Sequence, residues 1–232
     1  MSKFLKWVGI PLISIVAIAW LYLQFAYPTY AVRYQLSVEV ETPTGTKTGI
    51  GVLESIIEYQ VQFLPNVPSS LTRIRGEAIP IDIGNGRYLF ITLRQDSKRK
   101  GSRSAIGLAL ANLSPSKVKY PESRMKDYWI RANNSPLRHL VPNQLPLLVT
   151  FTDINDPASL QRVEPDELEK YFGAGVRFGE VTLEIVNESV SSGRIEKTLA
   201  WWKNLSTPIG GDTKRNYGDP LYGLGKSYFR KS

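Results

Sequence analysis

The sequence predicts a mainly β, α+β protein: an antiparallel sheet or sandwich-like body with one or two short helices, preceded by one transmembrane helix. Three observations predict it. An uncharged apolar run opens the chain, segments of strict two-residue alternation separated by Gly- and Pro-rich turns follow, and few stretches carry helical periodicity.

The opening "MSKFLKWVGIPLISIVAIAWLYLQFAY" holds Lys3 and Lys6, then no charge from Trp7 to Tyr27. As a helix that run would be about 31 Å long, matching a hydrocarbon core of about 30 Å. Trp7 marks one edge, and Trp20, Tyr22, Tyr27 and Tyr30 crowd the other, where amphipathic rings favour the interface. Pro11 falls in the first turns, where a missing donor costs least. A cleaved signal peptide would have a shorter apolar core and a small-x-small site; Ala31, with Thr29 two positions before it, serves that purpose poorly. Without cysteine, a lipid-modified lipoprotein is excluded. Arg33 is the only cation close behind the run, so the positive-inside rule places residues 1–6 in the cytoplasm and exports the rest. The expected organisation is a span over 7–27, an extracytoplasmic mainly β domain over 31–205 and a basic, disordered or weakly docked tail over 206–232.

"AVRYQLSVEVET" (Ala31–Thr42) alternates strictly, with Val32, Tyr34, Leu36, Val38 and Val40 on one face. After the turn "PTGTKTG", Gly49–Phe63 returns as its antiparallel partner, and Gly49 and Gly51 mark a bulge or a close backbone approach. Glu77–Leu93 is a hairpin. A three-residue Gly84-Asn85-Gly86 loop sets Ile79, Ile81 and Ile83 on the face of Leu89, Ile91 and Leu93, whereas a two-residue Asn-Gly loop opposes Asp82 to Leu89. The hydrophobic match selects the longer loop.

Ser104–Leu113 fits a strand or a short helix equally. Pro121–Asn134 reads as a helix with Met125, Tyr128 and Trp129 on one side. Leu145–Asp153 is a buried strand and Val176–Asn187 an alternating one. Gly193–Leu205 sets Ile195, Leu199 and Trp202 at helical spacing, which makes Trp202 core and leaves Trp201 as a contact residue.

The formal net charge of +8 is unevenly spread. "RQDSKRKGSRS" (Arg94–Ser104) and "TKRNYGDPLYGLGKSYFRKS" (Thr213–Ser232) each hold five cations and one acid, so basicity resides in a loop and a tail. Tail aromatics and cations together suit anionic lipid headgroups or an acidic partner protein; no nucleic-acid partner is expected outside the cytoplasm.

The acidic stretch Thr150–Gly175 is the one place with the composition of a metal or catalytic site. Asp153, Asn155 and Glu164 meet the first, third and twelfth positions of a calcium loop, but Pro157 and Ala158 occupy the fifth and sixth, which need an oxygen and a sharp turn. Capping accounts for the same residues: Asp156 before Pro157, Asp166 and Glu167 in the first turn after Pro165, Lys170 near the end and Gly173 closing it. His139 is the only histidine and is expected to be satisfied and partly buried; with no cysteine, the usual zinc ligand sets are excluded. Neither a G-x-S-x-G elbow nor a phosphate-binding glycine loop is present. A carboxylate-only glycan hydrolase survives these exclusions, with Asp153, Asp156, Glu164 and Asp166 as its acids.

Two segments, "RGEAIPIDIGNGRYLFITLR" (Arg75–Arg94) and "LLVTFTDINDPASLQRVEPDELEKYFGAGVRF" (Leu147–Phe178), resemble conserved hypothetical bacterial proteins with an N-terminal membrane anchor, over most of Val32–Leu205. The resemblance implies a bacterial, envelope-facing placement and brings no catalytic residue. The expected function is therefore a single-pass inner-membrane protein whose periplasmic domain is a non-enzymatic binding or scaffolding module, with no catalytic, cofactor or metal residues. Its expected partners are the membrane, an envelope protein and anionic lipid touched by the tail. The alternatives are the glycan hydrolase and an inverted topology, with a cytoplasmic basic domain contacting nucleic acid or lipid.

Overall fold

In the computed structural model of the chain, the described residues are 13–18, 20–22, 26–27, 29–60, 66, 68, 70–113, 137–206, 208–210 and 215–231. The expected N-terminus 1–6 and the expected helix Pro121–Asn134 lie outside them. Of the expected span 7–27, residues 13–18, 20–22 and 26 are helical. Among the described residues no helix is long and apolar enough to cross a membrane.

The chain divides into two compact units, one of 1–31 and 56–72, the other of 32–55 and 73–232. In the smaller, Tyr30 and Tyr59 meet edge to face with ring centroids 6.1 Å apart, and the Gln60 amide donates to the Pro68 carbonyl.

Among the described residues, ten strands form two antiparallel sheets. They are β1 (Thr29–Thr42), β2 (Gly45–Tyr59), β3 (Ser70–Glu77), β4 (Ile79–Gly84), β5 (Arg87–Ile91), β6 (Arg138–His139), β7 (Leu148–Phe151), β8 (Leu160–Val163), β9 (Arg177–Ile185) and β10 (Arg230–Lys231). The larger sheet runs β10-β3-β2-β1-β9-β6, the smaller β4-β5-β7-β8. Among the described residues, α1 (Ala105–Leu113), α2 (Leu168–Phe172) and α3 (Arg194–Thr198) accompany them. The expected mainly β, α+β class is what the described residues form.

β1 buries Val32, Tyr34, Leu36, Val38 and Val40, the face its alternation predicts. β9 pairs with it antiparallel through Leu36 with Leu183 and Val38 with Val181. Against this sheet lies β4. A Cβ at Gly49 would fall 2.5 Å from Ile81 Cγ1, and one at Gly51 would fall 2.6 Å from Ile79 Cγ1. The two glycines therefore mark a close approach: they let the β2 backbone rest on the isoleucines of the second sheet.

The β4–β5 hairpin reconciles both loop readings. Its register is Ile79 with Ile91, Ile81 with Leu89 and Asp82 with Tyr88, as the hydrophobic match requires. The turn itself is the two-residue Asn85-Gly86, both at positive φ, which twists with the strands. A register shift between Asp82 and Gly84 supplies the extra residue, and Asp82 Oδ1 accepts from Gly84 N at 2.8 Å to hold it.

Ser104–Leu113 resolves to a helix because Ser104 caps it, Oγ accepting from Gly107 N at 3.1 Å. Tyr34 is fully buried and its hydroxyl donates to the Ala105 carbonyl at 2.6 Å. Burial raises the Tyr34 phenol far above its ordinary value. The neutral form is thus the folded one, and its stability contribution is whole below pH ~10 and lost as pH rises beyond the unfolded value. Above pH ~10, Tyr34 is expected to lower unfolding stability by up to about 1.4 kcal/mol per pH unit. A Tyr34→Phe chain, followed by urea unfolding from pH 8 to 11, should lose that part of the slope; an unchanged slope refutes the assignment.

The small sheet is covered on both faces, and this overturns the expectation for the tail. β7 is buried at every position and β5 at its last three. Their second face carries Phe90, Val149 and Phe151, packed with Ile195, Leu199 and Trp202 and with Ile209, Leu221, Leu224 and Phe229 of the segment expected to be disordered or weakly docked. Backbone bonds stitch that segment down: Ala78 N to Phe229 O at 2.6 Å, Leu93 N to Tyr228 O at 2.8 Å and Ile209 N to Leu224 O at 2.9 Å. Its last residues form β10, pairing Arg230 with Glu77 and Lys231 with Gly76. The segment docks because its sparse apolar side chains complete the cover that Ile195, Leu199 and Trp202 begin over this face.

Candidate functional site

The acids of the Thr150–Gly175 stretch serve backbone and neighbouring cations one by one. Asp153 Oδ1 accepts from Asn155 N at 2.9 Å, and Asp156 Oδ1 accepts from Ala158 N at 2.8 Å, capping the 3-10 turn Pro157–Ser159. Glu164 pairs with Arg162. Asp166 and Glu167 occupy the 3-10 turn that leads into α2, Lys170 pairs with Glu167 at 2.9 Å, and Gly173 ends the helix at φ 104°. Glu169 accepts from Gly175 N at 2.9 Å. Of the three calcium-loop positions, Asp153 takes the Asn155 amide and Glu164 the Arg162 guanidinium, and among the described residues no three His, Asp or Glu side chains gather around one point.

His139 departs from expectation. It sits on the two-residue edge strand β6, is exposed, and its Nδ1 lies 2.8 Å from Glu180 Oε1. Its apolar neighbours misled because a β-strand alternates: Leu140 is buried while His139 faces out. Trp202 is core as expected, and Trp201 is engaged as well, its indole N–H donating to the Ile154 carbonyl at 2.8 Å.

The sequence did not flag a buried ionic cluster in the basic loop. Asp96 is fully buried and takes Arg162 Nε at 2.8 Å, while Arg99 Nη1 lies 3.9 Å away. Arg99 Nη2 donates to the Leu145 and Pro146 carbonyls at 2.5 and 2.6 Å, pinning the loop beneath β7. Ser102 Oγ donates to Leu145 O at 2.9 Å. Burial lowers the Arg99 guanidinium, with Asp96 and Glu164 working against it. At Arg162 burial also opposes the charge, but hydrogen bonds to Asp96 and Glu164 outweigh it and raise the group. The one clue in the sequence was Asp96 itself, a single acid amid five cations.

Clefts open on the larger unit among its described residues. One, of about 670 Å³, lies between Pro142, the Pro165–Lys170 turn and Val176–Phe178, and carries Asp166, Glu167, Glu169 and Arg177. The other, of about 210 Å³, exists only because the C-terminal segment docks: β10 brings Arg230 and Lys231 beside Arg75 and Gly76 of β3, and the Val190–Ser192 loop closes it. That loop is fixed to β2, with Ser191 N donating to Val52 O at 3.0 Å and Ser191 Oγ accepting from Val52 N at 2.9 Å. Arg75 Nη1 reaches Glu54 Oε2 at 3.2 Å, Arg33 Nε reaches the other oxygen at 2.9 Å, and Arg230 pairs with Glu196. Arg75, Gly76, the Val190–Ser192 loop, Arg230 and Lys231 border the second cleft, and its wall is almost entirely apolar.

Comparison with protein-family models, with curated proteins and with solved structures gave no significant match.

Proposed function

We propose that the chain is a single-pass, inner-membrane-anchored periplasmic protein whose sandwich domain is a non-enzymatic binding or scaffolding module of the cell envelope. The observation that supports the anchor is the helical stretch within residues 13–22. Ile13, Ile15, Val16, Ile18, Trp20 and Leu21 all stand exposed around it, with Ser14 the one small polar residue among them. A helix apolar all round is at home in protein core or in lipid. The binding role is supported by acids committed singly to caps and ion pairs, and by a tail whose cations border a cleft. Its partners on this reading are an envelope protein and anionic lipid reached by the basic segment.

Reporter fusions after Ser232 test the placement. An active alkaline phosphatase fusion with a dark fluorescent-protein fusion is the expected pair; the reverse pair replaces this reading with a cytoplasmic basic domain. Site-specific photocrosslinking in intact cells then identifies the partner.

The glycan-hydrolase reading is favoured by one feature, the carboxylates bordering the 670 Å³ cleft. Release of reducing ends from envelope glycan, abolished by Asp166→Asn in a folded chain, would replace the binding module with that enzyme.

A further inference from the structure

We propose that the surface carrying Tyr217, Tyr222, Arg94 and Lys226 docks on an anionic bilayer. The inference rests on the domain being a binding module that touches anionic lipid, and not on the side of the membrane it faces. Tyr217 is 91% exposed, and its ring lies 5.8 Å from that of Tyr222, itself 44% exposed. The pair therefore stacks outside the core, on a segment that is otherwise packed down through Leu221 and Leu224. A projecting tyrosine gains from a bilayer interface, where the ring leaves water and the hydroxyl stays wet.

Only the fold brings cations to this pair. Arg94 Nη1 donates to the Tyr222 carbonyl at 2.7 Å, and its guanidinium lies 4.9 Å from the centroid of the Tyr228 ring. Lys226 stands over the Trp202 ring at 5.6 Å. These contacts position the cations without cancelling them, because an aromatic ring carries a quadrupole and no net charge. Arg94 also opens the basic loop. Ala105 N closes that loop onto Leu93 O at 3.2 Å, and Leu93 N ties it to Tyr228 O at 2.8 Å. The two basic stretches of the sequence thus meet at one place.

The acids nearby are matched one by one. Asp96 takes Arg162, Asp219 lies 3.7 Å from Arg215, and Glu196 pairs with Arg230. Asp96 is buried, while Lys98, Lys100 and Arg103 of the same loop are exposed. A bilayer is flat and extended, so it needs no converging donors. Each cation within a Debye length of its surface, about 10 Å, adds its own attraction. Projecting rings among such cations complement a layer that is negative at its surface and apolar beneath.

The test holds the full chain in nanodiscs of uncharged phosphatidylcholine and titrates them with vesicles, reading the fraction of discs that float with the lipid. One vesicle set is pure phosphatidylcholine and the other contains phosphatidylglycerol; discs without the chain give the background. Binding is expected for the anionic vesicles alone, and added salt should weaken it. Lys226→Ala should weaken it about five-fold, the scale of one cation at an anionic surface. Tyr217→Ala should weaken it about ten-fold through lost ring burial, and Tyr217→Trp should restore it. Lys170→Ala removes an equal charge from α2 and should leave binding unchanged. Tyr217 is so exposed that its replacement leaves the core intact, so it decides the matter even if Lys226→Ala loosens the packing on Trp202. No binding to anionic vesicles, equal binding to neutral ones, or an equal loss in Lys170→Ala overturns the proposal. Unchanged affinity in Tyr217→Ala also overturns it and leaves the cations to an acidic protein. A partner crosslinked in cells without vesicle binding would sink this surface alone, and vesicle binding by a chain that releases reducing ends would sink the non-enzymatic reading alone.

Discussion

Phe229→Ala is expected to destabilise the larger unit by about 3–5 kcal/mol, the cost of emptying a fully packed aromatic site. Phe229 is completely buried, 6.0 Å from the Phe90 ring and 6.1 Å from Trp202. Its carbonyl also takes the Ala78 amide, at the single residue where the chain passes from β3 to β4. Losing the ring should therefore loosen the second face of the small sheet and the corner between the sheets together. Urea unfolding followed by tryptophan fluorescence reads it directly, since Trp201 and Trp202 lie in the same cluster. Removing residues 206–232 altogether should go further and expose Phe90, Val149 and Phe151, visible as dye binding. An unchanged urea midpoint in Phe229→Ala would return the segment to the status of a loosely held tail.

Asp96→Ala is expected to cost a similar amount, about 3–5 kcal/mol, for a different reason. The change strips the buried Arg99 guanidinium of its carboxylate and leaves Arg162 facing it with Glu164 as its remaining partner. Glu164→Gln removes a partner whose side chain is 36% exposed, so its cost should stay near 0–1 kcal/mol, about that of a surface pair. The contrast between the two variants is the check. If both are mild, the cluster is solvated in solution and the basic loop is not pinned. Replacing Asp96, Arg99 and Arg162 together by apolar residues of like volume should recover most of the stability lost in Asp96→Ala, because no charge is then stranded.

Local rules were legible residue by residue. Alternation named the buried face of β1, and matching of isoleucine with leucine set the β4–β5 register before the turn was known. Asp156 before Pro157 announced its cap through a carboxylate that suits an unpaired backbone amide, while Asp166 and Glu167 fall in the turn entering α2 and Gly173 ends that helix at positive φ, both as expected from their positions. The candidate site was less legible. Arg75, Arg230 and Lys231 are far apart in the chain, and nothing in the composition of Thr213–Ser232 says that its last strand joins β3. His139 was misread for a simpler reason, a strand's alternation taken for a buried patch.

The docked segment shows where the division lies. Leu145–Phe151 is apolar without alternation, a pattern that calls for cover on both faces, so the demand for a lid was already written in the sequence. What supplies the lid was not. Ile209, Leu221, Leu224 and Phe229 are scattered among glycines, prolines and cations, and by composition such a stretch cannot bury enough surface to order itself. By itself, then, the sequence determined the faces, turns and caps, because these depend on neighbours a few residues away. The tertiary structure alone decided the fate of the basic loop and of the C-terminal segment. Burial depends on the surface that distant elements leave unfilled, and a charge count over one segment cannot include a partner carried by another.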